Sequence, residues 1–246
     1  MMKFKLTTLF GGAAALMIAG SAQANLLTDG GFEAATDQFT HPNWTMVTNT
    51  PDPGSPTAQS ARFQNSGWAS FPHGVPGKGV WFRGFLGKSA AATANAKVTQ
   101  AVAQAGAAGQ TYTLTAKSRI AENFNINPAV DSQAILAIDF LDASMNVIGT
   151  SAIDVYDTAQ TNGTLQPSLG ADNSLWWFDY SVSGTAVAGT AFVQARLEMI
   201  DGLDASISGD QAALFDDLVL TVPEPASAML ALTGLFGLAG LRRRSA

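Results

Sequence analysis

The side chains that could do chemistry in this sequence are, first, three carboxylates near its two ends. Glu33 closes the opening segment "NLLTDGGFE", and Asp216 and Asp217 lie together in the closing segment "ALFDDLVLTV". If the first and last strands are neighbours, these carboxylates and nearby backbone carbonyls form a set of hard oxygen ligands. Ca²⁺ prefers such ligands. The residues alone therefore allow a Ca²⁺ site made by Glu33 and at least one of the two aspartates.

The two adjacent aspartates stand in apolar surroundings. Strict alternation along a strand places Asp216 on the same side as Leu218 and Leu220, and Asp217 on the same side as Phe215. Burying an ionised carboxylate without a partner costs several kcal/mol, so at least one of them should meet a cation or lie at an open end of the sheet. The alternative is that both accept hydrogen bonds from backbone amides or from Arg and Lys.

Tryptophans form the second chemically capable group, because flat aromatic surfaces stack on the apolar faces of pyranose rings. The candidates are Trp44, Trp68, Trp81, Trp176 and Trp177. Trp68 lies in the Gly- and Ser-rich stretch "QNSGWASFPHG", and Trp81 shares one side of its predicted strand with Arg83. Alternation points Trp177 outward from the core. We expect carbohydrate contacts from Trp68, Trp81, Arg83 and Trp177; the alternative for each tryptophan is core or edge packing.

Patterns typical of catalysis are missing from the sequence. Its two histidines, His41 and His73, each adjoin a proline, and there is no Gly-x-Ser-x-Gly or His-Glu-x-x-His motif. The acidic stretch "EMIDGLD" offers Glu198, Asp201 and Asp204 as a carboxylate set, but it is typical of a solvated turn. We therefore predict that the protein is not an enzyme, with a polysaccharide hydrolase as the weakest alternative.

The beginning of the chain has the three parts of a secretory signal. Lys3 and Lys5 precede an uncharged stretch at 6–20, and the small-x-small sequence "AQA" ends at Ala24. This pattern predicts a helical signal peptide over residues 1–24 and a mature chain that starts near Asn25.

The end of the chain is also unusual. Pro223-Glu224-Pro225 precedes an apolar run at 226–241, which is followed by Arg242, Arg243 and Arg244. As a helix the run would extend roughly 24 Å at about 1.5 Å per residue, slightly less than the roughly 30 Å apolar core of a bilayer. Arginine clusters of this kind stay on the cytoplasmic side.

The tail of residues 223–246 resembles the PEP-CTERM sorting signal of Gram-negative bacteria that produce exopolysaccharide. The resemblance covers only these last residues, but Pro-Glu-Pro, apolar helix and arginine cluster occur in the family's order. It implies processing by an exosortase, transient anchoring in the inner membrane, and delivery to the cell surface or extracellular matrix.

Composition limits what the body at 25–222 can bind. Without residues 1–24 and the three terminal arginines, which hold five of the 13 Lys and Arg residues and no acid, the chain has 8 Lys and Arg against 19 Asp and Glu, a net charge of −11. Nucleic acid and anionic lipid surfaces are therefore poor partners. The chain contains no cysteine, so no disulfide stabilises the exported body. Its length suits one all-β domain.

Alternating apolar and polar residues predict short β-strands throughout the body. In "TYTLTAKSRI" at 111–120 the Thr, Lys and Arg residues face away from Tyr112 and Leu114, and "AFVQARLEM" at 191–199 alternates likewise. Further runs of this kind occupy 79–85, 97–102, 134–141, 151–156, 176–182 and 214–222. The pattern predicts an all-β, antiparallel two-sheet sandwich. The Ala-rich stretch at 89–108 leaves a short helix open as an alternative.

A second resemblance covers most of the body. The segments "NLLTDGGFE", "GQTYTLTAKSRI", "AILAIDFLDASMNVIGT" and "LFDDLVL" are similar to those of the galactose-binding-like jelly-roll domains of carbohydrate-binding modules. The resemblance implies a jelly-roll sandwich, a polysaccharide partner, and a calcium ion that joins the first and last strands. The matching positions are Glu33 and Asp216, with Asp217 in reserve.

Three functions follow from these observations. The first is an exported, non-catalytic protein that binds carbohydrate, expected to be exopolysaccharide. The second is a structural or adhesive matrix protein without a sugar pocket, whose acidity serves bridging by divalent cations. The third is a hydrolase of matrix polysaccharide.

Overall fold

The structure is a computed structural model that describes residues 24–48, 60–65, 77–83, 95–103, 108–120, 133–155, 177–202 and 212–222. The predicted signal segment, the tail from Pro223 onward with Glu224, Pro225 and the three terminal arginines, and Trp68 lie outside these residues. Within the described ranges, no helix has the length and apolarity needed to cross a membrane.

In the part of the chain that the structure describes, ten strands form two antiparallel five-stranded sheets, which confirms the predicted all-β class. The strands are β1 (Thr45–Thr48), β2 (Ala61–Asn65), β3 (Lys78–Arg83), β4 (Ala96–Val102), β5 (Thr111–Ile120), β6 (Gln133–Leu141), β7 (Val147–Asp154), β8 (Phe178–Thr185), β9 (Phe192–Ile200) and β10 (Ala212–Thr221). The first sheet has the order β1-β4-β9-β6-β7 and the second sheet the order β2-β3-β10-β5-β8.

The two sheets share one hydrophobic core. In β5 the apolar side chains of Tyr112 and Leu114 are buried, whereas the threonines between them face away. β9 alternates in the same way. Across the sheets, the rings of Tyr112 in β5 and Phe140 in β6 are in edge-to-face contact with centroids 6.1 Å apart. The period-2 pattern therefore identified the buried faces correctly.

The Ala-rich stretch contains strand β4 rather than a helix over residues 96–102. Val98 is fully buried in the core, and the strand pairs with β1 on one side and β9 on the other. Sheet pairing and core burial therefore outweigh the helical propensity of the alanines.

The opening segment at 25–30 lies beside the last strand, β10. The Leu26 amide donates to the Leu220 carbonyl (2.8 Å), and the Leu218 amide donates to the Gly30 carbonyl (2.9 Å). The Asn25 side chain bridges the same strand by donating to Leu218 O and accepting from Leu220 N. The first and last segments of the body are therefore neighbours, as the site predictions require.

A β-bulge at Asp216 and Asp217 changes the alternation of β10. Asp216 pairs with Lys117 and Val219 pairs with Thr115, so β10 carries one extra residue between these pairs, and Asp217 has a left-handed φ of 52°. Phe215 and Leu218 consequently both face the core. The strict alternation assumed from the sequence was wrong here, because the bulge moves Asp216 to the face opposite Leu218.

Candidate functional site

The most distinctive surface is the face of the second sheet that points away from the core. Register places Arg62 of β2 opposite Trp81 of β3, and Trp81 opposite Leu214 of β10. Leu214 in turn lies opposite Arg119 of β5. Trp177 directly precedes β8 beside Arg119, whose guanidinium carbon is 5.9 Å from the indole centroid. Two tryptophans and two arginines therefore lie in one row across the sheet.

One end of this row is an arginine–tryptophan cluster made of Arg62, Trp81 and Arg83. The guanidinium carbon of Arg62 lies 4.6 Å from the Trp81 ring centroid, and that of Arg83 lies 5.1 Å from it. All three side chains are partly exposed. The predicted pairing of Trp81 with Arg83 on one side of β3 is present, but the indole packs against guanidinium groups instead of lying bare.

The cluster concentrates positive charge. Burial lowers the pKa of Arg62, and burial together with the neighbouring charge of Arg62 lowers the pKa of Arg83 to about 10. Both groups stay protonated at neutral pH, so the two guanidiniums repel each other beside the indole.

The middle of the row is closed. Leu214 is 0% exposed and Arg119 is 1% exposed. Arg119 lies on the outer face, as the alternation of β5 predicts, but it is covered there. A ligand therefore has access to the row at the arginine–tryptophan cluster and at Trp177, which is partly exposed.

A small polar cleft lies beside the cluster. It has a volume of about 210 Å³, and Arg62 Nη1 donates to Gln38 Oε1 at its rim (3.4 Å). The lining residues are Ala35, Thr36, Asp37, Gln38, Phe63, Gln64 and Lys78. Amide and ammonium groups of this kind can hydrogen-bond hydroxyls, and the volume suits one unit of a longer chain rather than a whole oligosaccharide.

The predicted metal ligands are not assembled into one group. No set of three or more His, Asp or Glu side chains that could hold a metal occurs in the described ranges. Glu33 Oε1 accepts the Lys78 amide (2.8 Å), and the Lys78 ammonium donates to the carbonyls of Glu33 (2.9 Å) and Ala35 (2.7 Å). A lysine charge thus lies at the carbonyl oxygens of Glu33 and Ala35, in the region where the sequence placed the calcium ion.

Asp216 and Asp217 lie in a different setting. The buried Asp216 carboxylate accepts the Asp217 amide (2.8 Å), as the backbone-amide alternative anticipated. The hydrogen bond from Lys117 to Asp179 raises the pKa of Lys117 most strongly, and the charges of Asp217 and Asp216 raise it further. The ammonium group of Lys117 hydrogen-bonds Asp179 and lies near enough to Asp216 and Asp217 to feel their charges. Calcium binding stays a prediction for solution experiments.

The carboxylates considered for hydrolysis have other contacts or lie outside the described residues. Glu198 forms ion pairs with Arg196 and with Lys97 on the outer face of the first sheet. Asp201 ends β9, where its amide donates to Asn95 Oδ1 (3.0 Å). Asp204 is not among the described residues.

Two further tryptophan candidates are Trp44 and Trp176. Trp44 is buried in the core and donates its indole N–H to the Asp29 carbonyl (2.9 Å), so it follows the core-packing alternative. Trp176 lies outside the described residues.

Sequence reasoning missed Arg62 and did not connect Arg119 with the tryptophans. The run "ARFQN" at 61–65 does alternate and could have been assigned as a strand. That Arg62 lies opposite Trp81, however, follows only from the pairing of β2 with β3, which are separated by residues 66–77. Cross-strand neighbours of this kind are not encoded in any local pattern.

Comparisons with known proteins do not assign a family. No protein-family model matches the chain, and no curated protein matches it. Similar solved structures include the enzymatically active domain of bacteriophage CBA120 tailspike protein 4 (13% identity, TM-score 0.47), of which the match covers 80% of this chain and 21% of that one. Another is TmCBM61 in complex with β-1,4-galactotriose (14% identity, TM-score 0.44), where the match covers 81% of this chain and 99% of that one. A third is a cyclase from Fischerella sp. TAU (15% identity, TM-score 0.48), where the match covers 80% of this chain and 94% of that one. At these identities and TM-scores the similarities carry no functional assignment.

Proposed function

We propose that the protein is an exported, non-catalytic carbohydrate-binding protein with a jelly-roll body. The observation that carries the proposal is the row on the outer face of the second sheet, with the arginine–tryptophan cluster at one end and Trp177 at the other. Aromatic side chains offer large contact areas to sugar rings at low entropic cost, and guanidiniums donate to ring substituents. A sheet face holds such groups at fixed spacings, so it can contact successive units of a polymer.

The sequence supplies the cellular part of this proposal. The signal pattern at 1–24 and the PEP-CTERM-like tail support export, transient inner-membrane anchoring and processing by an exosortase. Delivery to the surface or matrix of a Gram-negative bacterium would put the body in contact with exopolysaccharide. Calcium remains a prediction here: melting curves with and without EDTA test it, and an unchanged Tm would contradict it.

Affinity electrophoresis of the full chain against a panel of polysaccharides tests the binding function. Retarded migration in at least one polysaccharide gel is the expected result. Trp177→Ala should reduce the retardation while leaving the melting temperature nearly unchanged, because Trp177 is only partly buried. Val47→Ala, at an exposed position on the first sheet, is the control and should migrate like the parent. Unaltered mobility in every gel would refute carbohydrate binding.

A second candidate, an adhesive matrix protein, is favoured by strand β7. β7 lies at the end of the first sheet and carries no charged residue from Val147 to Ile153. Val147 and Ile148 are exposed on it. Long, uncharged edge strands are templates for pairing with another chain, so a second copy could extend the sheet here.

Sedimentation of the full chain tests this second candidate. Concentration-dependent dimers are expected, and Val147→Lys should abolish them by placing a charge at the pairing edge. Val47→Lys, equally exposed on β1 at the opposite edge of the same sheet, is the matched control and should still dimerise. A chain that stays monomeric at high concentration excludes adhesion through β7.

A further inference from the structure

One end of the sandwich carries most of the large apolar side chains that the described residues expose. Five such side chains are exposed among these residues, and four of them lie in the turn after β6, at the start of β7 and in the turn after β8. These four residues, here called the apolar tip, are Met145 (50% exposed), Val147 (56%), Ile148 (38%) and Val187 (39%). The fifth, Val47, lies in β1. Exposed apolar side chains that cluster in this way mark a contact surface.

The parts of the apolar tip lie next to each other, because the turn after β8 packs on the start of β7. A Cβ atom placed on Gly149 would lie 3.4 Å from both γ-carbons of Val187. A Cβ atom placed on Gly189 would lie 3.7 Å from the δ-carbon of Ile148. The two segments are therefore in contact, and their exposed side chains belong to the same end of the molecule.

Met145 is exposed at a position that is unfavourable for it. Its backbone has a left-handed φ of 66°, which glycine and asparagine adopt more readily than residues with a large side chain. The turn is fixed by the Asp142 carboxylate, which accepts the amides of Ser144 (2.8 Å) and Asn146 (2.9 Å). The turn thus holds a large apolar side chain outward at a cost in backbone strain. Strain of this kind at an exposed residue points to a function of its side chain.

The surroundings of the apolar tip carry little charge. Among the described residues at this end, only Asp142 is charged, and its carboxylate is hydrogen-bonded within the turn; these residues are 102–103, 108–111, 141–149, 184–192 and 221–222. Apolar side chains without charged neighbours can enter a lipid interface without removing a charge from water. The net charge of −6 of the chain disfavours anionic lipid, so a zwitterionic lipid surface is the matching partner.

The chain leaves the body at this same end. Register places Thr221 of β10 two strands away from Ser183 of β8, a distance of roughly 10 Å. Val187 follows Ser183 by four residues in the direction of the tip. Residues 222–225 alone separate β10 from the apolar run at 226–241, and they carry the chain at most about 18 Å. The apolar run therefore begins within reach of the apolar tip.

We infer that the apolar tip contacts the lipid of the membrane in which the tail is anchored; this rests on the membrane anchoring proposed above. The length of the apolar run supplies the reason. As a helix of roughly 24 Å it is about 6 Å shorter than a roughly 30 Å apolar core. With the terminal arginines held among the headgroups of the far side, a body drawn toward the near side reduces this mismatch. The end of the body that meets the lipid is the one with the apolar tip.

Sheet extension by a second copy does not account for the whole tip. A partner strand would pair with the backbone of β7, which begins at Val147. Met145 and Val187 lie in turns, outside the strand ladders. Lipid contact involves all four side chains, because it needs no backbone pairing.

Single cysteines test the lipid contact, because the chain contains no cysteine of its own. Val147→Cys and Val187→Cys place a polarity-sensitive fluorophore at the tip of the full chain, reconstituted in phosphatidylcholine vesicles that contain nitroxide-labelled lipid. Val47→Cys is the matched control: Val47 is 62% exposed and lies level with Glu198, about 20 Å along β9 from its tip end. The nitroxides should quench the fluorophores at 147 and 187 at least twofold more strongly than the fluorophore at 47.

Flotation of the same vesicles distinguishes the two proposals. A chain that floats with the lipid but is quenched equally at all three positions, or at none, overturns the tip contact and leaves the anchoring intact. A chain that does not float overturns both. Blue-shifted emission at the tip without quenching means that protein covers it: a second copy if the shift disappears at a tenfold higher lipid-to-protein ratio, and another part of the same chain if it persists. Either result overturns the lipid contact.

A charge at the tip provides an independent test. Val147→Glu, in the chain labelled at Val187→Cys, should at least halve the quenching, because a carboxylate resists transfer out of water. Val47→Glu adds the same charge at the other end of the sandwich and should leave the quenching unchanged. Undiminished quenching in Val147→Glu, or an equal loss in both variants, overturns the assignment. If Val147→Glu fails to fold, Met145→Gln decides, and it should also lower the quenching.

Discussion

At the scale of single residues, Lys78 fastens the opening loop to strand β3. Its ammonium donates to two backbone carbonyls, those of Glu33 and Ala35, while its own amide is held by the Glu33 carboxylate. One side chain thus satisfies loop carbonyls that would otherwise need water or a metal ion. Lys78 therefore takes over part of the fastening that the sequence assigned to calcium.

Replacing Lys78 by methionine should lower the free energy of unfolding by about 1.5–3 kcal/mol, because hydrogen bonds to a charged group are lost from half-buried carbonyls. Lys97→Met is the matched control: Lys97 is 45% exposed with a 3.4 Å ion pair, and its loss should cost less than about 1 kcal/mol. Urea unfolding of both variants gives the comparison. Equal losses would show that Lys78 has no special role.

His41 should make the stability depend on pH. Its Nδ1 accepts the Asn43 amide (3.0 Å), so its Nε2 carries the proton and donates to Asp29 Oδ2 (2.9 Å). Burial lowers the pKa of His41; the hydrogen bond and charge of Asp29 act in the opposite direction, and the charge of Lys78 lowers the pKa further. The neutral ring is therefore favoured by folding.

The sign of the effect follows from this lowered pKa. The contribution of His41 to the free energy of unfolding should be fully present above its unfolded-state pKa of about 6.5. It should be lost as the pH drops toward the lower pKa of His41 in the folded protein. Urea unfolding at pH 7.5 and pH 5.5 measures it. In His41→Gln, which keeps a donor for Asp29, the difference between the two pH values should shrink. A parent protein equally stable at both pH values would rule out this role.

At the scale of elements, the contact between the opening segment and β10 depends on Gly30. A Cβ atom at Gly30 would lie 1.9 Å from the Leu218 carbonyl oxygen, which is backbone and cannot move aside. Gly30→Ala should therefore separate the two segments.

We expect Gly30→Ala to cost about 3 kcal/mol or more, since overpacking against backbone cannot relax. Gly109→Ala provides a contrast, because Gly109 has a φ of +87° but no atom within 4 Å of the added methyl group. It should cost only about 1–2 kcal/mol of backbone strain. Thermal melting ranks the two, and a Gly30 variant as stable as the Gly109 variant would contradict the close contact.

Strands β6, β7 and β9 are joined on their outer face by Asp139. Its carboxylate accepts two bonds from Arg196 of β9 and one from Thr150 of β7 (2.9 Å), and the side chain is 2% exposed. Asp139→Ala leaves the Arg196 guanidinium, which is 14% exposed, paired with Glu198 but not with Asp139, and should cost about 3 kcal/mol, the lower end for breaking a buried ion pair. Asp179→Ala breaks the Lys117 pair at an 82% exposed side chain and should cost under about 1 kcal/mol. Urea denaturation measures the loss of unfolding free energy in both variants. Similar losses would show that the buried Asp139 pair stabilises the fold no more than the exposed Asp179 pair.

Local alternation was sufficient to predict β5 and β9 and their buried faces, because each strand has one dry side and one wet side. It failed at Asp216, where one inserted residue reverses the faces. It also could not show that Arg62 meets Trp81, or that Lys78 reaches Glu33, since both contacts depend on register between segments distant in sequence. The candidate site was therefore predictable as a set of residue types but not as an arrangement.

At the scale of the whole molecule, the two candidate surfaces lie on different sheets. The outer face of the second sheet holds Arg62, Arg83 and Arg119, and Arg196 on the outer face of the first sheet pairs with Asp139 and Glu198. The first sheet instead ends in the uncharged edge of β7. Ligand capture and self-association, if both occur, would therefore use different sides and need not compete.

The central position of β10 in the second sheet has a mechanical consequence. β3 and β5 flank this strand, and the opening segment continues the pairing where β3 stops, so a pull on the C-terminal end acts along a strand hydrogen-bonded on both sides. The hydrogen bonds between antiparallel strands run perpendicular to the strands. A force along β10 therefore loads many of these bonds at the same time, in shear, instead of breaking them one after another. If the tail tethers the body as proposed above, a pull by a bound polymer would be resisted by a strand that is hydrogen-bonded on both sides.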